Sequence, residues 1–193
     1  PKLASGEWFG SYCLTEPGAG SDANSGKTSA TLSEDGSSYK INGQKMWISN
    51  AHVGDAGLLY AYTDKEKHHK GISAFLIKPK NLEGCTAIPI LTKLGLHCSP
   101  TGEFVFEEAK IPKDAMIGNE GDGFGICMWQ LNNTRIGCAA GALGVAGGAL
   151  EASIGYANER TQFGKPIAEH QMIQAQIAEM VVEHQAAQLL VYR

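Results

Sequence analysis

GEFVFEEAKIPKDAMIGNEGDGFGICMWQ (102–130) contains the boundary between two kinds of chain. Residues 102–111 form a β-rich run of strand length. After Pro112 the period changes. From about Gly121 to Arg160 there is no proline, and apolar residues recur at helical spacing. Strand before Pro112 and helix after it predict an α+β chain, with an all-β part first and helices second.

Upstream, short β-like runs are split by turn signals. They are GKTSATLS (26–33), SYKINGQKMWIS (38–49), AGLLYAYT (56–63) and GISAFLIK (71–78). Within the second, Asn42-Gly43 predicts a hairpin, because that pair tolerates positive φ. Residues 10 to about 112 thus read as a barrel or sandwich. Downstream, Gly137, Gly141, Gly144 and Gly148 fall on one face of the long helix. Each costs roughly 1 kcal/mol against alanine, which points to close helix–helix packing or to a ligand against the backbone. RTQFGKP (160–166) breaks this helix, and Pro166 is expected to open a second. Ile167, Gln171, Gln174, Ala178 and Val181 then keep the period, so two antiparallel helices of a bundle are expected. The domains divide at 1–113, with a remnant of a preceding helix, and 114–193.

Composition excludes some classes. A net charge of −4 with no basic block gives no nucleic-acid footprint. KEKHHK (65–70) is short and mixed, and reads as a solvated loop tip. The five cysteines form no C-x-x-C pair and no zinc spacing, so buried or idle thiols in a reducing compartment are expected, and no metal. No stretch reads as apolar enough to span a membrane. The chain starts at Pro1 and ends in AAQLLVYR, still in helical period, as expected for a piece of a longer protein.

Four stretches carry candidate chemistry. YCLTEPGAGSD (12–22) ends a strand with glycines that let backbone approach a ligand, flanked by the hydroxyls of Thr15 and Ser21. Asp22 is placed to cap the turn that follows. Alone, the stretch reads as a turn. KMWISN (45–50) puts the Trp47 indole beside the Ser49 hydroxyl, which suits a flat heteroaromatic ring or a core tryptophan. RTQFGKPIAEHQ (160–171) offers Arg160 for a phosphate, the Gln162 amide and the Phe163 face, or is a plain polar loop. LNNTR (131–135) sets two asparagines inside a helix, either against a polar ligand or toward solvent.

In this order, CLTEPGAGSD, KMWISN, LNNTR and ERTQFGKPIAEHQ resemble the landmarks of the acyl-CoA dehydrogenase family of flavoenzymes, across essentially the whole chain. The resemblance implies a central β domain followed by the first two helices of a four-helix bundle, the N-terminal helical domain being absent. It implies FAD, with Tyr12, Leu14, Thr15, Gly20, Ser21, Trp47, Ile48 and Ser49 around the ring. Arg160, Gln162, Phe163, His170 and Gln171 would meet the FAD of a neighbouring subunit. Ser21 and Asn132, Asn133, Thr134 and Arg135 would face the acyl-CoA. Serine at 49 replaces a threonine often found there, and Asn132 replaces an aspartate of some members. A dimer or homotetramer, an electron-transfer flavoprotein as electron acceptor, and the bacterial cytoplasm or mitochondrial matrix are implied with it.

The family reaction needs a carboxylate to remove the α-proton of a thioester. Some members carry it where Thr134 stands here; most carry it late in the bundle, beyond Arg193. Glu16 belongs to the turn signature and reads as structural, and Glu159 has no better claim. No catalytic residue is therefore assigned within 1–193. The resemblance implies a short or medium acyl chain as substrate, with glutaryl-CoA as the alternative, since LNN also occurs in its dehydrogenases. An acyl-CoA oxidase and a non-catalytic flavin-binding or assembly subunit of the same fold are further alternatives.

Overall fold

The computed structural model describes residues 1–193, in two compact units, Pro1–Met128 and Trp129–Arg193. The first unit is built on one mixed sheet. Its strands are β1 (Gly10–Cys13), β2 (Ser29–Leu32), β3 (Ser38–Ser49), β4 (Ala56–Tyr62), β5 (Ile72–Ile77), β6 (Cys85–Pro89), β7 (Thr101–Pro112) and β8 (Met116–Ile117). The order is β6-β7-β3-β2-β4-β5-β8, with β1 parallel to β4. All four expected strand runs, the strand that the 12–22 motif ends (β1) and the 102–111 run are present, whereas β6 and β8 are additional. The core lies on one face, where Tyr39, Ile41, Leu59, Phe75, Ile77, Phe104, Phe106 and Ile111 are buried together.

The expected hairpin at Asn42-Gly43 is not formed. β3 runs through it as one 12-residue strand paired with β7. The irregularity lies opposite, where Glu108 on β7 is the extra residue, at φ 52. The Asn42 side chain brackets it, donating to the Glu108 carboxylate at 2.6 Å and accepting from the Glu108 N–H at 2.9 Å. Gly43 is needed for space as well as for its φ of 145: a Cβ there would sit 2.7 Å from Thr28 Cα.

A second bulge, now on β3, restores the register between Lys45 and Ile48. Its extra residue is Trp47, at φ 60. Side chains alternate faces along a strand, so Tyr39, Ile41 and Lys45 point inward and an unbroken strand would carry Trp47 inward too. The bulge turns Trp47 outward, to 57% exposure, and returns Ile48 to the core.

Helix α1 (Gly123–Glu159) begins in this unit, where Cys127 is fully buried. It is long and apolar enough to cross a membrane by length and composition, which corrects the reading that no stretch is. In the second unit, α1 is followed by a small hairpin, β9 (Thr161–Gln162) and β10 (Lys165–Pro166), and by α2 (Gln171–Tyr192). Pro166 therefore lies in a strand, and the second helix starts at Gln171. Residues 139–150 and 180–191 line one groove, and Gly147 meets His184, so the helices run antiparallel. The four aligned glycines have no atom of the chain within 4 Å of where a Cβ would stand; it is Gly147 that packs closely.

Gly43→Ala is expected to destabilise the β unit by about 1–3 kcal/mol, through overpacking on Thr28 and a φ that alanine resists. Chemical denaturation of the two proteins checks this.

Candidate functional site

The stretch 12–22 is fixed from beneath by a buried ion pair. Lys45 Nζ donates to Glu16 Oε1 at 2.8 Å, with side-chain exposures of 3% and 6%. Both groups have further partners. Glu16 Oε2 accepts from the Lys27 N–H at 2.5 Å and Oε1 from the Thr28 N–H at 3.0 Å. Lys45 Nζ also donates to the Leu14 carbonyl at 3.0 Å. Burial alone pushes the Glu16 carboxyl up, but the Lys45 charge and these donors outweigh it and hold the carboxyl below its ordinary value. Burial likewise lowers the Lys45 ammonium, against the pull of Glu16. Glu16 is thus a structural acid, as its place in the turn suggested.

Around this pair the loop closes on itself and on β3. Glu16 and Ala19 exchange backbone hydrogen bonds of 3.0 and 3.1 Å, and the Met46 N–H donates to the Thr15 carbonyl at 2.8 Å. That last bond lays the first motif directly against the Trp47 bulge. Leu14, Thr15, Gly20, Ser21, Trp47 and Ser49 are all at least partly exposed there. Nothing in the chain lies within 4 Å of a Cβ at Gly18 or Gly20, and no hydrogen bond within the chain occupies the hydroxyls of Thr15, Ser21 or Ser49. Ile48 differs, since its side chain is in the core and only its backbone can face a ligand.

Tyr12 is half-committed inward. Its ring packs edge-on against Tyr60 at 5.3 Å, and its hydroxyl donates to Cys127 Sγ at 3.1 Å. Burial, then this bond, raises the phenol far above its ordinary value. Cys13 is pushed up to about 12 by burial, so it is a protonated, unreactive thiol at neutral pH. All five cysteines are free, Cys98 and Cys138 being exposed. Asp22 caps no backbone N–H; it accepts from the Ser25 hydroxyl.

In the second unit, Phe163 and Gly164 both have positive φ (53 and 80) and form the two-residue turn of the β9–β10 hairpin. Such a turn matches strand twist but favours Asn-Gly over an aromatic residue. The result is a phenyl ring 92% exposed, with His170 edge-on at 5.9 Å. Gln162, Phe163, His170 and Gln171, all expected as site residues, line one open groove of about 800 Å³. Arg160 stands at the hairpin's foot, where its carbonyl accepts from the Ile167 N–H at 2.8 Å. On α1, Asn132, Asn133, Thr134 and Arg135 are exposed. Arg135 donates to Asn132 Oδ1 at 2.8 Å and Asn133 to the Trp129 carbonyl at 2.7 Å, which leaves the Asn132 amide N–H groups and Asn133 Oδ1 open to a ligand. The sequence reading missed Lys45; its signal is a lysine in the same parity as the inward Tyr39 and Ile41.

Comparison with known proteins agrees with this layout. The middle domain of acyl-CoA dehydrogenase matches residues 11–109, and the C-terminal domain of acyl-CoA dehydrogenase matches 121–193. A glutaryl-CoA dehydrogenase of Desulfococcus multivorans is 48% identical over 100% of this chain and 49% of its own length. A short-chain specific acyl-CoA dehydrogenase of Megasphaera elsdenii is 42% identical over 99% of this chain and 49% of its own. A solved acyl-CoA dehydrogenase from Bacillus anthracis, complexed with FAD, shares the fold with a TM-score of 0.93 and 40% identity, over 100% of this chain and 33% of that one. The chain belongs to the acyl-CoA dehydrogenase family, as a mixed-sheet middle domain followed by the helical C-terminal domain. It spans about half the length of the curated relatives it matches.

Lys45→Met removes one partner of a buried pair and is expected to cost about 3–5 kcal/mol of β-unit stability by equilibrium denaturation. Glu16 predicts an acid limb. A carboxyl held below its ordinary value of 4.5 contributes stability that is fully present above that value and lost as pH falls through the lower folded value. In Glu16→Gln that acid-side slope should flatten when stability is measured against pH.

Proposed function

We propose that the whole protein catalyses α,β-dehydrogenation of an acyl-CoA thioester to the trans-2-enoyl-CoA, with electrons passing to an electron-transfer flavoprotein. The observation that carries this is the Met46–Thr15 bond, which sets a glycine-bearing loop with unengaged hydroxyls beside an outward-turned indole. That donor set fits FAD: a flat apolar face at Trp47, hydroxyls at Thr15, Ser21 and Ser49 for ring carbonyls and nitrogens, and open backbone at Gly18 and Gly20. Bound flavin would supply a two-electron acceptor for the hydride of the β-carbon. The chain's own residues would orient the ring and exclude water from one face. Arg160, Gln162 and Phe163, with His170 and Gln171, would hold the diphosphate and adenosine of a neighbouring subunit's cofactor, so a dimer or homotetramer belongs to the proposal. Asn132 to Arg135 would meet the CoA arm. We assign the base that takes the α-proton outside 1–193; Glu16, the acid buried beneath the loop, is committed to Lys45.

The 48% identity to a glutaryl-CoA dehydrogenase favours glutaryl-CoA as a second substrate reading. An anaerobic visible spectrum of the full-length protein separates the two. Bleaching of the flavin band by butyryl-CoA but not glutaryl-CoA supports the short-chain reading, and the converse supports the other. A flavin band that neither substrate bleaches defeats both.

Trp47→Gly gives a second prediction. Glycine accepts φ 60 without strain, so the apoprotein should be as stable as the parent or more so. FAD affinity should nevertheless fall about fivefold, the loss of about 1 kcal/mol of ring contact. Calorimetric titration with FAD reads the second effect and thermal unfolding the first.

A further inference from the structure

We propose that the buried Glu16–Lys45 pair is a positioning element that sets the spacing between the Thr15 loop and the Trp47 bulge, and thereby the flavin's seat. The proposal rests on the flavin reading above and adds to it the residues that fix the seat from below.

A buried ion pair is weak evidence for stability, since a well-packed apolar pair of similar volume often serves as well. What an apolar pair cannot supply is direction. Glu16 gathers donors from two other segments: Lys45 on β3, and the Lys27 and Thr28 amides leading into β2. Lys45 returns a bond to Leu14, two residues before its partner. The clamp is also tight: a Cβ at Gly26 would lie 3.1 Å from Glu16 Oε1.

The spacing of residues makes this clamp relevant to the ring. Leu14 and Thr15 immediately precede Glu16, and Trp47 follows Lys45 by two positions. The Thr15–Met46 bond lies between them and uses neither charged side chain. Any shift of Glu16 against Lys45 must therefore shear the Thr15 side of the seat against the Trp47 side.

The test is Glu16→Gln/Lys45→Met in the full-length protein. Three quantities are read: thermal midpoint, exchange of the Met46 amide in FAD-free protein, and the FAD dissociation constant with the visible circular dichroism of the bound flavin. A midpoint near that of the parent, faster Met46 exchange, an altered flavin dichroism and a dissociation constant raised about tenfold are expected. That is the scale seen when a group supporting a ligand is removed. Met46 exchange and flavin signals equal to the parent's would overturn the proposal. A midpoint lowered as far as in Lys45→Met alone would overturn it too, by making the pair a fold-stabilising element. Faster Met46 exchange in the double variant, together with a parent protein that takes up no FAD, would sink the flavin reading while leaving the loop's dependence on the pair intact.

Discussion

A lysine pointing into a β-sheet core is the constraint from which the first unit follows. Lys45 shares its inward face with Tyr39 and Ile41. Its charge cannot stay there unpaired, because desolvating an ammonium costs several kcal/mol. Glu16 must therefore reach under the sheet, and the chain from Leu14 to Ala19 has to fold back over β3 to let it. The loop's closure on itself, its bond to Met46 and its tie to the start of β2 are consequences of that one requirement.

The same strand shows how a register defect becomes a surface. Period-two alternation would bury Trp47 on the side of Lys45. One extra residue reverses the parity and presents the indole to solvent. The hairpin of the second unit does something similar with Phe163. In both places a bulky aromatic residue is held in the left-handed region, which disfavours it, and is exposed rather than buried. Strain of about 1–3 kcal/mol at each such residue is typical of sites where the surrounding structure dictates a side chain's direction. Two such residues, each inside a stretch that also carries the family's landmarks, share a physical signature: an apolar face held outward at a cost.

Much of the architecture was legible because it depends on local pattern. The switch of period at Pro112, the strands 56–63 and 71–78, and the long helix are properties of a dozen residues at a time. The failures depend on partners. Asn42-Gly43 carries a genuine turn signal, but Thr28 lies against Gly43 and β7 absorbs the irregularity at Glu108, neither of which is visible within 38–49. Pro166 is compatible with a helix start; pairing with Thr161 makes it a strand residue instead. The candidate site was legible as four motifs in order, while the exposure of Trp47 and the pairing of Lys45 were not. Parity fixes which way a strand residue points only until a bulge intervenes, and a bulge is a relation between two strands.

The two units also differ in what holds them. Residues 1–128 enclose a contiguous apolar core, so the effect of a substitution there can be read as a local loss against a cooperative background. Among residues 129–193 only Ala157 is buried, and the helices line an apolar groove of about 650 Å³ with Leu143, Leu150, Met180 and Leu190. Helices of this composition gain most of their stability from packing rather than propensity, and glycines at 137, 141, 144 and 148 weaken the propensity further. It follows that the Thr15 loop and the Trp47 bulge sit on the part of the chain that has its own apolar core. A change there alters the seat without first having to alter the fold, which is the condition under which a positioning role for Glu16 and Lys45 can be told apart from a stabilising one.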